Sequence, residues 1–306
     1  MKQITLGKSD ISVPAIAIGC MRMKLLDEIQ TESFVKSALD LGTNFFDHAD
    51  VYGAGRSEEL FGNVLKNEPS LREKMILQSK CGIVPGRMYD FSKEHILNQV
   101  DGSLKRLNTE YLDLLVLHRP DALMEPEEVA EAFDTLVTSG KVRHFGVSNH
   151  TPMQIQLLER YLNQKLLVNQ LQLSLTESTM ISTGMETNTS NAGGINRDGY
   201  VLDFCRLNDI TVQAWSPFQF GRIAGTFIGN PNFPKLNETI NELSGKYNLT
   251  PGGIVTAWIL RHPANIQMIT GTMNLNHLKE IVDATDVRLS REDWYRLYLD
   301  AGHILL

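Results

Sequence analysis

Eight short apolar or β-rich runs punctuate the chain: AIAIG (15–19), NFFD (44–47), MILQSK (75–80), LDLLVLH (112–118), HFGVSN (144–149), LLVNQLQ (166–172), ITVQAWS (210–216) and IQMITG (266–271). They show no sustained alternation of apolar and polar residues, so each suits a strand buried on both faces, as in a parallel sheet. The segments between them include ESFVKSALDLG, EHILNQVDGSLKRLN and PEEVAEAFDTLVTSG. These place apolar residues three and four apart and stop at Gly or Asn, a normal helix end. Eight strands separated by helices predict an α/β fold, a closed (β/α)8 TIM barrel. Ahead of the first run, QITL-GKSD-ISVP reads as a hairpin that closes the barrel bottom. One segment breaks the rhythm: residues 177–199 are rich in Ser, Thr, Asn and Gly, which predicts a functional loop or a disordered insertion. No other boundary is visible, so residues 1–306 read as a single domain.

Composition narrows the class. The 306 residues are 42% hydrophobic, ample for a sizeable core, and the net charge of −7 argues against a nucleic-acid partner, whose phosphates call for a basic stripe. The opening MKQITLGKSDISV has no apolar core of a signal peptide. No apolar run approaches the roughly 20 residues that span a membrane. Cys20, Cys81 and Cys205 are odd in number and widely spaced, which fits free thiols and no CxxC metal pair. The expectation is a cytoplasmic protein without membrane or metal.

What ends each run is more informative. The first ends Gly19-Cys20-Met21. The second ends Asp47, with Asp50 and Tyr52 just beyond. The third ends Lys80, the fourth His118 and the fifth Ser148-Asn149. The sixth carries Asn169 and Gln170, the seventh ends Trp215-Ser216 and the eighth Gly271-Thr272. In a (β/α)8 barrel all of these lie on the C-terminal rim, where active sites of this fold sit. Each also has a plain reading. A strand-end Asp forms turns or caps helices, a Lys snorkels, a His before Arg-Pro bonds its own loop, and a Trp packs the core. Asp, Tyr, Lys and His ending three consecutive strands weigh against four such coincidences.

With FFDHADVYG, LQSKCG, LVLHRPD, FGVSNH, VNQLQLS and QAWSPF in this order, the chain resembles the aldo-keto reductase superfamily, from TLGKSDISVPAIAIGCMRM to about Asp283. The C-terminal REDWYRLYLDAG is similar to a bacterial branch of uncharacterised reductases. The resemblance implies reduction of an aldehyde or ketone by hydride transfer from a nicotinamide cofactor, with an acid–base tetrad on Asp47, Tyr52, Lys80 and His118. Asp50 receives no catalytic role. The groups themselves fit that chemistry. A Tyr of ordinary pKa about 10 can protonate the carbonyl oxygen, and a neighbouring cation, Lys80, would bring the phenol toward working pH. Asp47 would hold the lysine's charge, and His118 would donate to the carbonyl oxygen.

No strand–turn–helix G-x-G-x-x-G is present; Tyr52-Gly53-Ala54-Gly55-Arg56 lacks the third glycine. The resemblance instead places an extended dinucleotide across the barrel mouth, beside Gly19, Cys20, Met21 and Asp47. Ser148, Asn149 and Gln170 would bind the nicotinamide carboxamide, and Trp215 would stack on the ring. The turn with Ser216, Phe218 and Gly221 would face the pyrophosphate, and Gly271, Thr272, His277 and Glu280 the adenosine end. Gly271 and His277 stand where well-known members carry stronger cations. That departure keeps NAD(H) open, while the resemblance favours NADP(H). Two rival readings stand beside reduction: a nucleotide-binding, redox-sensing partner subunit with little turnover, and a barrel lyase with Lys80 as a Schiff base.

Overall fold

The computed structural model describes residues 1–305. The eight runs form one closed barrel of parallel strands: β1 (Ile16–Gly19), β2 (Phe45–Asp47), β3 (Ile76–Cys81), β4 (Leu112–Leu117), β5 (Val142–Ser148), β6 (Leu166–Gln172), β7 (Thr211–Trp215) and β8 (Gln267–Thr270). Each strand pairs with the next, and β8 closes on β1. The register levels the strand ends: Gly19 sits beside Asp47, Asp47 beside Gln78, and Gln170 beside Ser148. Among the described residues no helix is long and apolar enough to cross a membrane.

The strands read as apolar runs because helices cover their outer faces while side chains fill the barrel inside; Leu114, Leu115, Val116 and Leu117 are all buried. The interior is not wholly apolar. Gln78 donates Nε2 to Asp47 Oδ1 and also to Gln213 Oε1 (3.0 Å). Gln213 returns a bond to Gln78 Oε1 (2.9 Å) and donates to Gln267 Oε1 (2.8 Å). Gln267 in turn donates to the Pro14 carbonyl (2.9 Å). This chain of amides runs from Asp47 at the end of β2 toward the barrel floor and satisfies buried polar groups that would otherwise be costly.

The N-terminal hairpin, Gln3–Thr5 paired with Ser12–Pro14, forms the floor. Its turn docks at the start of β7, where the Gly7 amide donates to Thr211 Oγ1 (2.8 Å). Gly7 has φ +53°, and a Cβ there would fall on the Leu167 carbonyl, so this close approach demands glycine.

Outside the barrel, helix Arg56–Asn67 packs on helix Lys93–Leu107 at Gly62. A Cβ at Gly62 would collide with the Arg106 backbone carbonyl, which no rotamer can relieve. Gly62→Ala is expected to cost about 1–3 kcal/mol of stability through overpacking, measurable as a shifted urea midpoint with an unchanged slope.

The 177–199 segment is not structureless. It begins with helix Thr179–Met185 and continues through a 3-10 turn at Ala192–Gly194. Met180 and Ile181 are buried, and Ser182 Oγ bonds Tyr298 Oη (2.7 Å) on the C-terminal helix Arg291–Asp300. The segment is thus part of the outer wall. Only Glu177, at its start, reaches the rim, where its Oε1 accepts from the Gly221 amide (2.8 Å).

Candidate active site

Asp47 ends β2 at 2% exposure, below the rim. A turn closed by the Tyr52 amide on the Ala49 carbonyl (3.0 Å) brings Tyr52 to the strand ends, and the chain then passes through Gly53 (φ 61°) and Gly55 (φ 91°) into helix Arg56–Asn67. Lys80 points inward from β3 and is fully buried. Its Nζ meets Asp47 Oδ1 (2.7 Å), the His48 carbonyl (2.8 Å) and Tyr52 Oη (3.2 Å). All three ammonium hydrogens thus have acceptors. Burial alone would strip the proton from Lys80, but the facing Asp47, with Tyr52, raises its pKa above the ordinary lysine value.

His118 follows β4, its ring 6.0 Å from the Tyr52 ring and nearly perpendicular to it (83°). Burial, reinforced by Lys80 and Arg119, holds its pKa well below the ordinary histidine value, and its Nδ1 has no partner. The imidazole is therefore neutral near pH 7 and can donate without carrying charge. Tyr52 departs from the expectation. Burial raises its pKa, and the pull of Lys80 in the other direction does not win. The phenol is protonated at neutral pH, which is the form an acid needs.

Asp50 lies behind this group. Burial first, and the buried Glu58 second, push its carboxyl up to about 7. Glu58 itself is held by Ser79 Oγ (2.6 Å) and the Arg106 guanidinium (2.8 Å).

Above Tyr52 and His118 opens a cavity of about 750 Å³. Gly19, Met21, Asp47, Tyr52, His118, Ser148, Asn149, Gln170, Trp215, Ser216, Phe218, Gly271 and Thr272 all line it, so residues scattered through the sequence converge on one mouth. Lys80 stands beneath, reached through Tyr52. Four residues expected at the cofactor site do not line it. Cys20 is fully buried, its Sγ against the Ile18 carbonyl (3.5 Å). Gly221 uses its amide on Glu177 and its carbonyl on Gln172 (2.7 Å), which braces the turn. His277 and Glu280 lie on helix Leu275–Asp283, whose capping residue Asn274 lines the cavity while they do not. Asn274 Oδ1 caps that helix and takes the Asn276 and His277 amides (2.9 and 3.3 Å).

The cavity also holds Arg222 and two arginines that strand-end reasoning missed, Arg22 and Arg119. Arg22 donates Nη1 to the Gly271 carbonyl (3.3 Å) and fills the space above that glycine, where a Cβ would lie 2.6 Å from it. The only hints were position: Arg22 two residues after Cys20, and Arg119 directly after His118.

The residues fit a nicotinamide cofactor. The indole of Trp215 is oriented by its Nε1 donating to Asn149 Oδ1 (3.2 Å). Gln170 commits Nε2 to Asp47 and Gln213 (3.2 and 3.1 Å), and its Oε1 takes no bond among the described residues. A flat apolar platform with a free amide acceptor beside it suits an aromatic carboxamide. Asn149 and Ser216, next to this platform, both adopt positive φ (60° and 54°). Non-glycine residues hold that conformation only where the surroundings fix it, and such positions cluster at functional sites.

Comparison with known proteins agrees with this geometry. Residues 15–298 match the model of the aldo/keto reductase family. The chain is 35% identical to the uncharacterized oxidoreductase YcsN of Bacillus subtilis over 97% of both chains. It is 34% identical to a 6-dehydroglucose reductase of Novosphingobium aromaticivorans, over 97% of this chain and 94% of that one. Its structure is similar to the crystal structure of the thermostable aldo-keto reductase Tm1743 in complex with the inhibitor epalrestat. The TM-score is 0.78 at 25% identity, covering 98% of this chain and 100% of that one.

Proposed function

The chain belongs to the aldo/keto reductase family of oxidoreductases, and on that premise we propose that it reduces an aldehyde or ketone to the alcohol with NADPH. The observation that carries this reading is the hydrogen-bonded series Asp47–Lys80–Tyr52 ending at a cavity that it shares with a neutral His118. What a reduced nicotinamide supplies when bound is a hydride to the carbonyl carbon. Negative charge then develops on the carbonyl oxygen, and the Tyr52 phenol delivers a proton to it. Lys80 stabilises the phenolate left behind, and Asp47 keeps Lys80 charged. His118 donates an N–H to the same oxygen, an interaction that strengthens as the charge grows. The relative named 6-dehydroglucose reductase supports a carbonyl as the reacting group.

A Schiff-base lyase needs a neutral lysine, whereas Lys80 has its pKa raised and three acceptors around it. For cofactor choice, Arg22 beside Thr272 is the cation best placed at the adenosine end. Lys279 is paired with Asp283 (2.6 Å), and His277 lies off the cavity. Arg22→Met should therefore weaken NADPH binding more than NADH binding.

The pH profile follows from the two shifts. The Tyr52 pKa is raised and the His118 pKa lowered, so both groups keep their reductive forms through neutrality. Reduction should show no inflection across roughly pH 6 to 8, the ordinary histidine range. Alcohol oxidation needs the phenolate, whose fraction rises about tenfold per pH unit below the pKa, so that rate should climb with pH. A panel of aldehydes and ketones with NADPH and NADH, followed by loss of nicotinamide absorbance, tests the reaction. Cofactor binding without any turnover would favour the redox-sensing subunit instead.

A further inference from the structure

Arg119 directly follows His118 at the end of β4. In the eight-strand ring, β4 stands four places from β8, so the Arg119 backbone leaves the barrel opposite the strand that leads to Thr272, and its side chain reaches across toward Trp215. It is half-buried and lines the same cavity as Tyr52 and His118, with its guanidinium carbon 5.8 Å from the Trp215 ring centroid.

No carboxylate pairs with it among the described residues. Asp121, two positions on, is already committed: Oδ2 accepts from the Phe91 amide and Oδ1 from the Leu123 amide, each at 2.9 Å. Asp47, the sole carboxylate lining the cavity, is held by Lys80. The other charge close to Arg119 is of the same sign: Arg222, which adds to burial in lowering the Arg119 pKa, while Tyr89 opposes both. A partly desolvated guanidinium beside a second cation is unfavourable until an anion joins it. Its planar fork of N–H donors matches a carboxylate or phosphate in a bidentate fashion.

We propose that the carbonyl substrate carries an oxyanion group, a carboxylate or a phosphate, and that Arg119 binds it while Tyr52 and His118 hold the carbonyl oxygen. Tyr52, His118 and Arg119 line one cavity, so a single small molecule can meet all three. Ile83, lining the same cavity, offers that molecule an apolar wall. The inference rests on the carbonyl-reduction reading and adds to it the substrate class.

The test compares matched charged and neutral substrates with NADPH and the full-length protein. Succinic semialdehyde is set against its methyl ester, and a phosphorylated triose aldehyde against the unphosphorylated one. The wild type should prefer the charged member of at least one pair by about ten- to a hundredfold in kcat/KM, mostly through KM, the scale of a charge-assisted hydrogen bond. Which pair shows the preference identifies the oxyanion. Arg119→Met should collapse that ratio toward unity, and Arg119→Lys should restore part of it, which a loss of folding could not do. Equal use of charged and neutral members by the wild type overturns the inference while leaving carbonyl reduction intact. So does a ratio that survives in Arg119→Met. Turnover of none of these compounds, nor of any other carbonyl compound with either cofactor, overturns carbonyl reduction itself.

Discussion

Tyr52→Phe is expected to lower carbonyl reduction by about a hundred- to ten-thousandfold, the usual worth of a positioned general acid, while cofactor binding persists. The substitution removes only the Oη. Lys80 keeps its bonds to Asp47 Oδ1 (2.7 Å) and the His48 carbonyl (2.8 Å) and loses the weakest of its three, at 3.2 Å. The ring still presents its edge to His118. Lys80 keeps its anionic partner and the ring keeps its packing, while one ammonium hydrogen loses its acceptor, so the loss should appear chiefly in kcat, with only a small fall in the unfolding midpoint. Steady-state kinetics with a simple aldehyde, beside cofactor titration by tryptophan quenching, separates the two effects. Turnover close to wild type would remove Tyr52 from the acid role.

Asp47→Asn should be severe in both activity and stability. Lys80 is fully buried, and Asp47 is its only anionic partner among the described residues. Removing one member of a buried ion pair costs about 3–5 kcal/mol, because the remaining charge is left uncompensated. Lys80 can respond by losing its proton, and it then no longer stabilises a Tyr52 phenolate. The amide also disturbs Gln78 and Gln170, both of which donate to Asp47 Oδ1, so the damage spreads into the glutamine chain. Asp50→Asn, three residues on, should be mild. With its carboxyl pushed up to about 7 by burial and then by Glu58, Asp50 is substantially protonated near neutrality, and Asn resembles that form. The sign of the linkage is definite. A carboxyl whose pKa is higher folded than unfolded destabilises the fold as pH rises from about 4 toward 7. Asp50→Asn should therefore gain on wild type over that interval. Kinetics and thermal unfolding of both variants across pH decide the ranking; the reverse order would mean that Asp47 does not hold the lysine.

The barrel was legible because its physics writes directly into the sequence. Strands buried on both faces leave unbroken apolar runs, and a rim that does chemistry ends those runs in Asp, Lys and His. Strand limits such as Val142 and Cys81 fell within a few residues of the runs. Properties that depend on register or tertiary neighbours were not legible. Gln78, Gln213 and Gln267 looked like scattered polar residues until the parallel register stacked them into one chain. The composition of 177–199 suggested a loop, yet Thr179–Met185 becomes helical because the C-terminal helix gives its apolar residues a wall. Arg22 and Arg119 received no role, since strand ends alone do not show which way a side chain just beyond them turns. Whether burial or Lys80 dominates the Tyr52 proton likewise depends on how dry the assembled site is.

The central claim is hydride delivery to a carbonyl carbon at the Tyr52–His118 end of the cavity. Its most direct test is reduction of an aldehyde with NADPH deuterated at the transferable position of the nicotinamide, followed by mass analysis of the alcohol. The account predicts a single deuterium on the carbinol carbon in the wild-type product, with the yield nearly abolished in Tyr52→Phe. Alcohol formed without deuterium, or label transfer undiminished in that variant, would contradict it.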